Sequence, residues 1–162
     1  LQTFIYMPTS GIVQGMRPLM SYNYGAKLKE RMHQILKVSG LVIAAILGAG
    51  TLLFFIVPNV LLSLFNASSG MLEIGKTGLR ILSLSFIVSS FGVLMSGVFE
   101  ALGLGKYSLI VSLLRQLLIT VPLAYILLNI MGIEGIWLSF VIAEAIASIV
   151  AYILYRKKFK TI

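Results

Sequence analysis

The chain has 162 residues, 59% of them apolar and 11% charged, and its mean hydropathy is +1.01. A soluble domain carries about a quarter charged residues, so this composition excludes a water-soluble globule and requires an apolar solvent. The net charge of +8 comes without a basic face interleaved with stacking aromatics, which argues against nucleic acid as a partner. The lack of cysteine excludes disulfides, thiolate metal sites and a cysteine nucleophile.

About twenty apolar residues are needed for a helix to cross roughly 30 Å of hydrocarbon, and five stretches are read as such spans. The first, about 1–24, is the most polar. The second covers about 38–58, the third about 78–101, the fourth about 107–128 and the fifth about 135–155, with a basic tail over 156–162. Their apolar runs are continuous, whereas barrel strands alternate over about ten residues. The fold class is therefore all-α integral membrane, in a single domain whose short connections make successive helices neighbours.

The charges give an orientation. Lys27, Lys29, Arg31 and Lys37 lie between the first two spans, Lys106 lies between the third and fourth, and Arg156, Lys157, Lys158 and Lys160 follow the fifth. If five helices alternate, these segments share one side, while Lys76 and Arg80 stand against Glu73 and Glu134 on the other. The positive-inside rule then puts the basic segments and the C-terminus in the cytoplasm. The chain starts at Leu1 with no signal-peptide pattern, and we read it as part of a longer polypeptide in the plasma membrane.

Soluble-enzyme motifs find little support. The run Glu100–Ser108 ends like a phosphate loop, but Glu100 stands where that loop needs its first glycine and no strand precedes it. His33 is the only histidine and has no partner at metal-ligand spacing. No catalytic constellation and no metal site are expected.

Glycines recur within the spans at Gly11, Gly15, Gly40, Gly48, Gly50, Gly92 and Gly97, and close helix packing is the plain reading of each. Pro8 and Pro18 both fall in the first helix, and Pro122 falls in the fourth. Each removes an intrahelical donor, which membrane helices tolerate beside a cavity. Two prolines in the most polar helix suggest a bent, cavity-lining element. Gln14, Arg17 and Ser21 share one of its faces, assigned to an aqueous chamber, and Gly25 is placed to end the helix.

Intramembrane charge is the sharpest signal, because it is costly unless paired or hydrated. Arg17 lies in the first helix, Glu100 near the inner end of the third, Arg115 with its neighbour Gln116 in the fourth, and Glu144 in the fifth. Similar depth on consecutive helices suggests an ion pair between Glu100 and Arg115. Glu144 has no evident partner. It is either a protonatable group facing the cavity or a hydrated carboxylate of the outer leaflet.

The segment Gly11–Lys27, "GIVQGMRPLMSYNYGAK", resembles a signature of the multidrug and toxic compound extrusion (MATE) transporters. "FEALGLGKYS", "SLLRQLLITVPL" and "GIEGIWLSFVIAE" resemble three later motifs of that family in the same order. The resemblance implies twelve helices in two six-helix lobes, of which this chain is the last five, with the N-terminal lobe as its partner. It implies efflux of organic cations by alternating access, coupled to inward flow of H+ or Na+ and needing no other cofactor. On that reading Gln14, Arg17, Pro18, Ser21, Tyr22 and Asn23 line the substrate cavity, and Glu100, Arg115, Gln116 and Glu144 form ion pairs or take part in coupling. The chain departs from the family pattern with Arg17 and Glu100 where Gln is usual, Glu144 where Asp is frequent, and no acid between Phe91 and Met95. The alternatives are a lipid-linked oligosaccharide flippase of the same superfamily, favoured by a cavity rich in cations, and a non-transporting membrane scaffold or accessory subunit.

Overall fold

A computed structural model describes residues 1–65 and 68–159. Its elements are α1 (Gln2–Gly25), α2 (Lys29–Ile56), α3 (Pro58–Ser63), α4 (Ser69–Ala101), α5 (Gly105–Leu113), a π-helical turn (Leu114–Ile119), α6 (Thr120–Met131) and α7 (Ile133–Phe159). Among the described residues there is no strand. Lys29–Ile56, Gly70–Ala101, Gly105–Met131 and Ile133–Lys158 are long and apolar enough to cross a membrane. The chain is thus an all-α, multi-pass membrane protein. The more polar α1 has the length of a span but does not reach the hydropathy of the other four.

Several expected boundaries are corrected. The second helix starts at Lys29, not near Val38, so most of the basic connection is helical. Its Lys, Glu, Arg, Met, Gln and Leu are good helix formers, which a hydropathy reading cannot register. The third starts at Ser69 rather than Gly78, capped by Ser68, whose Oγ faces the Met71 N–H at 3.5 Å. The short α3 is not among the expected elements; Pro58 at its first turn needs no N–H partner there. Helix α7 begins at Ile133 and carries Arg156, Lys157 and Lys158 in its last turn, so the basic tail is helical through Phe159. Its remainder, Lys160 to Ile162, lies outside the described residues.

The fourth span is not one regular helix. Pro122 offers no N–H to the preceding turn, and just upstream the backbone widens to i→i+5 bonding. The Thr120 N–H then reaches the Arg115 carbonyl, and the Thr120 hydroxyl donates to the same oxygen at 2.7 Å. Pro122 consequently sits in the first turn of α6, where its missing donor costs little. Helix α1 runs unbroken through Pro8 and Pro18. Beside Pro8, Thr9 and Ser10 both donate to the Tyr6 carbonyl, at 2.7 and 3.0 Å. It ends at Gly25, but the left-handed residue is Lys27 (φ 58), not that glycine.

Helix α4 is the hub, packed against α1, α2, α5 and α7. Tyr6 and Phe54 both meet Phe86 edge-on, and Ile43, Leu47, Met20 and Val98 are buried members of the same core. Membrane helices gain little from hiding apolar groups from lipid, so small residues and interhelical hydrogen bonds fix the approach. Ser139, Ala143, Ala147 and Ala151, four apart on α7, are all buried, and the Ser148 hydroxyl donates to the Val88 carbonyl at 3.0 Å. The Thr51 hydroxyl similarly reaches the Ser83 carbonyl of α4 at 2.9 Å. Of the glycines read as packing sites, Gly97, Gly50, Gly92 and Gly40 have close neighbours, whereas Gly11, Gly15 and Gly48 face open space.

Candidate functional site

Four intramembrane charges form two pairs, and they are not the pair expected. Arg17 of α1 reaches Glu100 at the end of α4, whose other oxygen accepts the Ser108 hydroxyl at 2.9 Å. Arg115 instead turns to Glu144 of α7, where its Nη1 donates to both carboxylate oxygens at 3.1 and 3.2 Å. The expected Glu100–Arg115 pair is therefore corrected, and Glu144 has a partner that the sequence alone does not supply. Consecutive helices at matching depth can meet, but the rotation of each helix decides which side chains do. Here the π turn carries Arg115, and Arg17 already occupies Glu100.

The two pairs differ in environment. The Arg115 and Glu144 side chains are 29% and 17% exposed, whereas Arg17 and Glu100 are 41% and 36% exposed. The Nε of Arg17 and of Arg115 are shielded and have no hydrogen-bond acceptor.

Both pairs open onto concave space. A cavity of about 300 Å³ is lined by Gln14, Arg17, Ser96, Glu100, Ser112 and Arg115, among others. A second, of about 360 Å³, is lined by Gln2, Tyr6, Gln116, Phe140 and Glu144. Arg115 and Val93 line both, so Arg115 stands at their junction and the two make one polar groove across α1, α4, the π turn and α7. Tyr6 is absent from the residues the sequence singles out; its hydroxyl bonds to the Ser89 hydroxyl at 2.7 Å. An isolated tyrosine in an apolar run gives no sign that it faces a cavity.

The remaining expected cavity residues lie elsewhere on α1. Ser21 donates to the Ala101 carbonyl at the end of α4. Asn23 is buried, with its Nδ2 on the Leu19 carbonyl at 2.8 Å and its Oδ1 unpartnered. Tyr22 is 72% exposed, and Pro18 is exposed one position beyond Arg17. The structure therefore brings Gln14, Arg17, Glu100, Arg115, Gln116 and Glu144 to one groove and leaves Pro18, Ser21, Tyr22 and Asn23 outside it. A larger concavity of about 800 Å³ between α3 and the start of α4, lined by Asn59, Glu73, Lys76 and Arg80, contains none of them.

The described residues thus form a helical membrane bundle with charged side chains lining the space between its helices. The MatE family model matches residues 1–126, and this chain belongs to that family. It is 26% identical over 144 residues to the multidrug export protein MepA of Staphylococcus saprophyticus, covering 89% of this chain and 32% of that protein. The chain thus spans about a third of the length of the curated relatives it matches. Among solved structures it is 31% identical to the MATE multidrug transporter DinF-BH, with a TM-score of 0.86 over 96% of this chain and 35% of that one. An inward-facing MATE family transporter of the MOP superfamily shares the fold with a TM-score of 0.91 at 22% identity, over 98% of this chain and 37% of that chain.

Proposed function

We propose that this chain forms most of one lobe of a secondary active efflux transporter in the plasma membrane, exporting amphipathic organic cations in exchange for H+ or Na+. In this reading α1 is a fifth crossing element, the basic segments and C-terminus face the cytoplasm, and a second lobe closes over the polar groove. Alternating access follows from rocking of the two lobes about a site near the bilayer midplane. The observation that carries the reading is the gathering of Arg17, Glu100, Arg115 and Glu144 from four different segments onto one groove. Charge within a span is tolerated where it is paired or reaches water; here all four charges are paired and border open space.

Because the chain has no cysteine, introduced thiols give an unambiguous test. Gln14→Cys, Ser96→Cys and Ser112→Cys in lipid nanodiscs should react with a charged maleimide. Ile43→Cys and Phe86→Cys, fully buried in the core, should stay unlabelled. If the groove positions resist labelling as the core positions do, the space is not aqueous and the transporter reading fails.

A further inference from the structure

The concavity of about 800 Å³ between α3 and the start of α4 stands apart from the polar groove. Asn59, Ser63, Glu73, Lys76, Thr77 and Arg80 line it. Lys76 and Arg80 lie one turn apart on α4, a spacing at which like charges repel and weaken a helix. Glu73 precedes Lys76 by three residues, where an ion pair can form. Among the described residues, however, neither Glu73 nor Lys76 has an ion-pair or hydrogen-bond partner.

Arg80 is held in place but not used up. Its Nε donates to the Phe55 carbonyl at the end of α2 at 3.3 Å, and its Cζ lies 5.4 Å from the Phe55 ring centre. The two terminal nitrogens have no bond to the described residues, and neither is shielded from the surrounding space. A guanidinium fixed in this way offers a ready fork to a phosphate, with the Lys76 ammonium beside it as a point charge. Two cations against one carboxylate leave the wall with an excess of positive charge, and Asn59, Ser63 and Thr77 add amide and hydroxyl groups.

The place of the cavity decides between a free anion and a lipid. Helix α2 ends at Ile56, and the charged start of α4 gives way to an apolar run after Arg80, so the cavity lies where two candidate spans end. Basic pockets between membrane helices near the surface take phospholipid headgroups. Phe55, Ile56, Val60 and Leu64 beside it are large apolar side chains left exposed, which suits acyl chains and gives nothing to a free anion.

We propose that this cavity seats the headgroup of an anionic phospholipid, with its phosphate on Lys76 and Arg80. The site is independent of the polar groove and of what the lobe exports.

Native mass spectrometry of the chain in detergent tests it, with titrations of phosphatidylglycerol and phosphatidylcholine of the same acyl composition. The first phosphatidylglycerol should bind about tenfold more tightly than the first phosphatidylcholine, the size of one charge-assisted hydrogen bond. Lys76→Gln with Arg80→Gln should bring that ratio below about twofold by the same conversion. Lys76→Gln alone breaks no contact within the chain and should bring it to about threefold, so the test does not depend on tolerance of the Arg80 change. As a control of equal charge, Lys29→Gln with Lys37→Gln at the start of α2 should leave the tenfold preference in place. Equal affinity for the two lipids, a preference that survives the Lys76 and Arg80 changes, or an equal loss in the control would each overturn the inference. Displacement of the bound lipid by millimolar inorganic phosphate would overturn the lipid assignment in favour of a free anion.

Discussion

The two ion pairs invite different treatment because they are buried to different degrees. Exposed pairs contribute about 0–1 kcal/mol, and Arg17–Glu100 belongs near that range. Removing one partner of a buried pair costs about 3–5 kcal/mol, mostly for the stranded charge. With its partial exposure, Arg115–Glu144 should fall between these, at about 1–3 kcal/mol. Glu144→Leu should accordingly lower the thermal midpoint in detergent well beyond the shift caused by Arg17→Gln, and adding Arg115→Leu to Glu144→Leu should restore much of the loss. Equal shifts for the two single variants would mean that the burial difference has no energetic weight. The charges themselves are legible in the sequence, since an Arg or Glu within a span is conspicuous against its apolar neighbours. Their partners are not. Hydropathy gives the depth of Arg115 and of Glu100, but the azimuth that turns Arg115 toward Glu144 comes from the wide turn over Leu114–Ile119. Tyr6 shows the complementary limit, because one phenol in an amphipathic run is equally at home in a core.

At the scale of elements, the family-like motifs and hydropathy locate every long helix, while their ends escape. Lys29 to Lys37 read as a connection because hydropathy measures affinity for lipid, not the capacity to be helical, and the N-terminal part of α2 needs only the latter. The glycines repeat the lesson. Seven look alike in the sequence, yet a methyl placed on Gly97 would lie 2.5 Å from Val13 Cγ1, whereas one on Gly15 meets nothing within 4 Å. Overpacking a tight contact costs about 1–3 kcal/mol, and replacing a free helical glycine with alanine gains about 0.5–1 kcal/mol. Gly97→Ala should therefore destabilise the α1–α4 contact and Gly15→Ala should stabilise α1, opposite signs read in one melting experiment. Destabilisation by both would show that Gly15 is held against something outside this chain.

The whole molecule is organised around α4, but the connection between its last two spans constrains it most. Helix α6 ends at Met131 and α7 begins at Ile133, so Gly132 alone joins them. It sits at φ 68 and ψ −149, a region almost closed to residues with a side chain. Three residues on, a methyl on Gly135 would lie 2.3 Å from the Leu127 carbonyl oxygen. Gly132→Ala should lower the midpoint by the equivalent of about 1–3 kcal/mol although no atom crowds the site; an unchanged midpoint would show the joint can relax to another conformation. A joint one residue long leaves no slack. Neither arm can slide or swivel without dragging the other, so α6 and α7 would have to travel as a single strut. Whatever bending the lobe undergoes then falls on the over-wide turn just before α6, and Arg115, riding on that turn, would feel the movement first.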